Sequence, residues 1–297
     1  MLHFDGVIRD CLPPRPVTKP RRITVPRGAW ETHAHVIGAT EMYPFVRGRH
    51  FNPPPAPPAA FVAMLDMMGL DYGVVVQVSV HGTDNRLLVE ALSSFPNRLC
   101  GVAVIDPKIS DKDVAVLKEA GVRGIRILDI VGGGVGLKNL ELLAARCAEV
   151  GWHIQVATRG ETYLDLAPRL LKLRVPFIID HMGWCAAKDG IQSREFQAVL
   201  HIVRNSDCYV KLSGGFRLSA QPFPYSDIVP FAQQLIAAAP DRMVWGSDWP
   251  HVGLYDEAAR PDVGHILDWL ADYAPDVAQQ KRILVDNPAR FYGVPGS

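Results

Sequence analysis

Trp30-Glu31-Thr32-His33-Ala34-His35 decides how this chain is read. Two histidines spaced by two residues in a strand point to one face. Far downstream, Trp245-Gly246-Ser247-Asp248-Trp249-Pro250-His251 places an acid at the end of a second apolar run. Between them, Phe177-Ile178-Ile179-Asp180-His181 ends in a further histidine. In a parallel barrel, His33, His35, His181 and Asp248 would meet at one end. Such a cluster binds a metal, or polarises a carbonyl while its carboxylate activates water.

Strand-like runs fall at 30–35, 73–79, 101–105, 123–128, 152–157, 176–181, 208–213 and 243–247. Helical patterns fall near 58–70, 84–95, 111–120, 137–150, 161–173, 193–206, 226–239 and 262–273, with a last one over 277–285 that Asn287-Pro288 interrupts. This alternation predicts an α/β fold, a (β/α)₈ TIM barrel over residues 29–297. A doubly wound open sheet is the alternative, and the absence of a GxGxxG fingerprint after the first strand counts against it. Residues 1–28 read as an extended arm carrying Arg9, Pro13, Pro14, Arg15, Pro16, Lys19, Pro20, Arg21, Arg22, Pro26 and Arg27. The arm is expected to pack on the barrel or on a second subunit, so a homo-oligomer is one expectation.

The chain of 297 residues is 48% hydrophobic and carries 31 basic and 31 acidic side chains. That balance argues against a nucleic-acid or anionic-membrane partner. The longest apolar runs fall short of the ~20 residues of a membrane span. Cys11, Cys100, Cys147, Cys185 and Cys208 are odd in number and form no CxxC pair, which predicts free thiols and a cytoplasmic setting.

Strand parity picks out the inward groups. With Val74, Val76 and Val78 assigned to the helix side, Gln77 and Ser79 point inward. By the same alternation Arg126, Lys211 and Ser213 point inward. A charge inside a barrel is costly unless paired or used, and active sites of such barrels sit at the C-terminal ends of strands. Arg126 and Arg217 are the first candidates for binding a carboxylate, Arg159 and Lys211 the second. Glu31 or Asp106 is a candidate structural partner for Arg126. His81 and His251 lie on loops at the same face, while His153 begins its strand and belongs to the barrel bottom. Pro53-Pro54-Pro55-Ala56-Pro57-Pro58 predicts a stiff loop over the mouth. Gly132-Gly133-Gly134-Val135-Gly136 lacks the Gly-Lys-Ser/Thr of a phosphate loop and reads as a tight active-site loop.

Thr32-His33-Ala34-His35, Asp180-His181-Met182-Gly183 and Trp245-Gly246-Ser247-Asp248-Trp249-Pro250-His251 together resemble the amidohydrolase superfamily in its amidohydrolase-2 branch, with a pattern similar to the 2-pyrone-4,6-dicarboxylate lactonase family. The likeness extends through His81-Gly82-Thr83-Asp84-Asn85-Arg86, Gly121-Val122-Arg123-Gly124-Ile125-Arg126, Gly151-Trp152-His153, Arg217-Leu218-Ser219 and Val285-Asp286-Asn287-Pro288. The resemblance implies a distorted (β/α)₈ barrel and a hydrolase that opens a lactone of a small carboxylated compound, in aromatic-compound or sugar-acid catabolism. It implies Asp248 as the water-activating base and His33, His35 and His181 around the carbonyl. It also implies Arg126, Arg217 and Ser79 as substrate-binding residues, to which inward parity adds Gln77 and loop position adds His251. It leaves two states of the centre open: no metal, or one divalent metal (zinc) held by His33, His35, His181 and Asp248. The chain differs from the lactonase pattern at the glycine run around Gly132, at Phe51 and at Ala157, which points to a substrate with fewer acidic groups. The alternatives are a metal-dependent decarboxylase of the same superfamily and a non-catalytic barrel that binds a small acid.

Overall fold

The computed structural model describes residues 6–296. The first five residues of the predicted arm, His3 among them, and Ser297 lie outside these. Eight parallel strands form one sheet in sequence order. They are β1 (Trp30–Ala34), β2 (Tyr72–Val76), β3 (Leu99–Ala103), β4 (Val122–Leu128), β5 (His153–Ala157), β6 (Phe177–Ile179), β7 (Tyr209–Leu212) and β8 (Met243–Trp245). The barrel closes where the chain after β8 meets β1. There Asp248 N donates to the His33 carbonyl, and His35 N donates to the Trp249 carbonyl, both at 2.8 Å. Helices cover the outside, beginning with α1 (Pro58–Met68), α2 (Arg86–Ser94) and α3 (Asp111–Glu119). Among the described residues no helix is long and apolar enough to cross a membrane.

The barrel's lower half is filled with apolar and aromatic side chains. Trp30, Val74, Val76, Cys100, Val102 and Tyr292 form one buried cluster. The C-terminal helix Asn287–Tyr292 plugs this end, with Phe291 against His153 and Tyr209, and Tyr292 stacked on Trp30. This placement corrects the parity expected for β2. Val74 and Val76 face the interior, because the bottom of the barrel is an apolar core rather than a polar channel. Gln77 consequently turns to the loop beyond β2, where its amide donates to the carbonyls of Gly82 and Asp84. His153 lies in the lower barrel as expected.

A second correction concerns Asn287-Pro288. Helix Val277–Lys281 runs through a π-helical turn, Arg282–Asp286, and resumes at Asn287. Proline is tolerated in a first helical turn because its missing N–H is not needed there. Asn287 then donates to the Met243 carbonyl at 2.8 Å, fastening the plug to β8.

From residue 6 onward, the arm lies along the barrel surface. Arg9–Asp10 pairs in parallel with Phe51–Asn52. Leu12 N donates to the Leu254 carbonyl, Thr18 donates to Asp262, and the amides of Arg21 and Arg22 donate to Asp268. The arm thus ties the loop after β1 to the loop after β8.

Candidate active site

Three backbone irregularities bring the polar residues to one place. In β1 the register slips between Glu31 and Ala34. This bulge lets Trp30 face the lower core while His33 and His35 face the upper barrel. After β6, alternation from Ile178 turns Asp180 inward. His181 would then face out, but its φ of 49° swings it back toward the interior. Asp248 also lies in the left-handed region, at φ 64°. Such conformations cost of order 1–3 kcal/mol for non-glycine residues and persist where surrounding structure imposes them.

The four residues expected to form the centre do converge. His35 Nε2 and His33 Nε2 lie 3.5 and 3.7 Å from Asp248 Oδ1, and His181 Nε2 lies 4.0 Å from Oδ2. All four are buried. Arg217 Nε donates to Asp248 Oδ2 at 2.5 Å, and its Nη1 is buried without a protein partner. A cavity of about 380 Å³, counted out to its open mouth, lies above them. Its polar floor is His35, Ser79, Arg126, His181, Arg217 and Asp248, and its walls include Phe51, Ile130, Val131, Trp184 and Val252. Phe51 and the chain after β4 thus present apolar surface.

The remaining predicted residues are placed differently. Arg126 lines the cavity but is held by Asp180, with Nε and Nη2 at 3.0 and 2.9 Å from Oδ2. Asp180 thus takes the place of Glu31 and Asp106 as its partner. Glu31 instead accepts from the amides of His33 and Ser247, joining β1 to β8. His33 lies behind the floor, and it, Gln77 and His251 are buried without lining the cavity. His81 is enclosed by Tyr43 and Phe45 and accepts weakly from Gly38 N, bracing the first loop. The glycine run packs backbone to backbone on its neighbours, and Gly132 N donates to His50.

A second polar layer lies beneath the floor. Lys211 is the second-line carboxylate candidate of the sequence, and Asp180 and Gln155 carry no expected role there. The inward parity of Ile178 and Arg126 was the available signal for Asp180. Lys211 Nζ donates to the Thr32 carbonyl and to Gln155 Oε1, both at 2.7 Å. Gln155 Nε2 donates to Asp180 Oδ2 at 3.0 Å.

Electrostatics follow from this enclosure. Burial pushes His181 down to about 4, outweighing the attraction of Asp248, and holds His33 well below its ordinary value against Asp180. Both rings are therefore neutral at pH 7. Burial alone would raise Asp248, but Arg217 and His181 outweigh it and keep the carboxyl well below its usual range. Asp180 is likewise held down by His33, Arg126 and Lys211 against burial. Burial lowers the Lys211 ammonium to about 8, opposed by Asp180.

The donor set also fits one divalent cation. His35 Nδ1 lies 2.8 Å from the Val76 carbonyl, so that nitrogen carries the proton and Nε2 presents its lone pair. This lone pair faces a carboxylate oxygen at 3.5 Å, an opposition that a positive centre would relieve. Ligand atoms of His33, His35 and Asp248 lie within 4.8 Å of one another, as do those of His33, Asp180 and His181.

A parallel barrel with this mouth defines an amidohydrolase-type enzyme fold, and the amidohydrolase pattern matches residues 30–294. The chain belongs to the amidohydrolase family. It is 36% identical to a 4-sulfomuconolactone hydrolase of Rhizobium radiobacter over 99% of this chain and 100% of that one. It is 35% identical to a 2-pyrone-4,6-dicarboxylate hydrolase of Comamonas testosteroni, over 90% of this chain and 91% of that one. Among solved structures, an apo protein of Agrobacterium tumefaciens superposes with a TM-score of 0.83 at 30% identity, covering 93% of this chain and 96% of the other.

Proposed function

We propose that this protein hydrolyses a lactone carrying one carboxylate and an otherwise apolar ring or side chain. The observation that carries this reading is the floor of the cavity. An ionised Asp248 lies within 4.0 Å of His33, His35 and His181, beside one arginine with an unpartnered donor. The two relatives above are named as hydrolases of 4-sulfomuconolactone and of 2-pyrone-4,6-dicarboxylate.

Arg217 Nη1 orients the substrate carboxylate, and the apolar walls hold the rest of the ring. The His181 ring at the floor donates from Nε2 to the ester carbonyl oxygen and stabilises the charge that develops there, its Nδ1 accepting from Ser213 Oγ 2.7 Å away. Water adds to the carbonyl carbon as its proton passes to Asp248. The ring C–O bond then breaks, and the departing oxygen takes that proton, leaving an open-chain acid. Arg217 keeps Asp248 ionised, at some loss of proton affinity. Arg126 is already committed to Asp180, so a second substrate carboxylate finds less to bind it.

If a metal occupies the centre, His33, His35, His181 and Asp248 would hold it, zinc suits such nitrogen and oxygen donors, and the ion would polarise the carbonyl. The test is proton release on a panel of muconolactones, pyrone dicarboxylates and sugar-acid lactones, before and after chelation and with zinc restored. Opening of a monocarboxylate lactone is expected, with slower turnover of dicarboxylates. No turnover of any lactone would overturn the reading.

A further inference from the structure

Lys211 is fully buried beneath the cavity floor. An ammonium has three donors and no acceptor. The Gln155 amide has one workable orientation: its NH₂ meets the Asp180 carboxylate, so its oxygen must face Lys211. Thr32 and Gln155 thereby accept two of the three protons. The nearest remaining acceptor is His33 Nδ1 at 3.2 Å, ahead of Asp180 Oδ1 at 3.7 Å.

His33 Nδ1 also lies 3.3 Å from Asp180 Oδ1. It can accept from Lys211 or donate to Asp180, but not both. If it donates, two donors face one another at 3.2 Å, and a buried ammonium proton loses its acceptor. If it accepts, the proton of the neutral ring sits on Nε2. Two groups then lack a hydrogen bond in this structure: Asp180 Oδ1, whose carboxylate is already paired with Arg126, and the His33 Nε2 proton, which has a carboxylate oxygen of Asp248 3.7 Å away where the other tautomer would set a lone pair against it.

We propose that Lys211 is a positioning residue that holds His33 in its Nε2–H tautomer, presenting that proton to the Asp248 carboxylate 3.7 Å away at the edge of the floor and withdrawing the ring from metal ligation. The role in catalysis rests on the lactonase reading, whereas the tautomer does not. A cation that takes His33 Nε2 must move the ring proton to Nδ1, toward Asp180, and break the Lys211 contact. Metal binding and that contact therefore oppose one another, each weakening the other by the same factor.

The experiment uses chelator-treated, full-length protein labelled with ¹⁵N-histidine, with His33 assigned by the loss of its signals in His33→Gln. Long-range ¹H–¹⁵N spectra are expected to show the Nε2–H form. Lys211→Met keeps the length of the side chain and removes its donors. In that variant His33 should shift to the Nδ1–H form, and zinc should bind about tenfold tighter or more, in line with other groups that orient metal-binding histidines. An Nδ1–H ring in the wild type overturns the proposal, as does a Lys211→Met protein with unchanged tautomer and zinc affinity. If Lys211→Met does not fold, the wild-type spectrum decides alone. Neither readout involves turnover, so a failed lactone panel and a failed tautomer assignment are separate results.

Discussion

Arg217 Nε donates to Asp248 Oδ2 at 2.5 Å, so the proposed base and the proposed carboxylate anchor are one hydrogen-bonded unit. Loss of either partner strands a buried charge, which costs about 3–5 kcal/mol in comparable pairs. Asp248→Asn keeps the shape of the side chain and removes its capacity to accept a proton. Turnover should fall by roughly two orders of magnitude or more, as for a positioned base, and the melting temperature should fall with it. A near-wild-type rate on an active lactone would remove Asp248 from the mechanism.

Arg217→Met separates anchoring from activation. Nη1 has no protein partner, so an acidic substrate loses its cation and KM should rise about tenfold or more, the size of one charge-assisted hydrogen bond. Because Nε also holds Asp248, kcat should drop too. For a neutral lactone of the same ring, KM should change much less. Steady-state kinetics on the two substrates test this, and equal KM shifts would argue that Arg217 touches no carboxylate.

The glycine run yields a prediction of a different kind. A Cβ on Gly133 would sit 2.1 Å from the Ser79 carbonyl, and its φ of +95° already disfavours a side chain. Ser79 and Val131 both line the cavity. Gly133→Ala should therefore push this loop off the mouth. KM should rise severalfold, and the melting temperature should fall as well, because the clash is with backbone and the left-handed φ adds strain. Unchanged kinetics would show that the seam between Gly133 and Ser79 does not shape the cavity.

What was legible in the sequence follows the same physics. Arg126 and Lys211 could be placed inward because an isolated charge cannot face the apolar helix layer. The eight strands could be found because each is a short apolar run between helical patterns. The orientation of β2 was not legible, since valines fit both the helix layer and the plugged lower barrel, and alternation alone cannot tell them apart. The bulge that brings Trp30 and His33 to one side, and the positive φ of His181, leave no periodic mark. Asp180 lies in Asp180-His181-Met182-Gly183, yet its partnership with Arg126 joins strands far apart in the chain and is visible only in the fold.

The buried histidines make the protein acid-sensitive. Burial holds His153 at about 3, and His181 and His251 at about 4, against an ordinary value of 6.5. Between the folded and unfolded values, the unfolded chain binds protons that the folded one refuses. Stability is therefore full above pH 6.5 and falls as pH drops toward 4, by up to about 1.4 kcal/mol per pH unit for each such group. Asp180 and Asp248 act in the same direction but at lower pH, since their depressed values matter only once unfolded carboxyls take up protons. His153 isolates the effect. It packs against Phe291 and Tyr292 in the lower barrel, away from the cavity floor. His153→Phe should flatten the slope of unfolding free energy between pH 6.5 and 4 by about 1.4 kcal/mol per pH unit. Denaturant titrations across that range measure it. An unchanged slope would mean that His153 is already protonated in the folded protein.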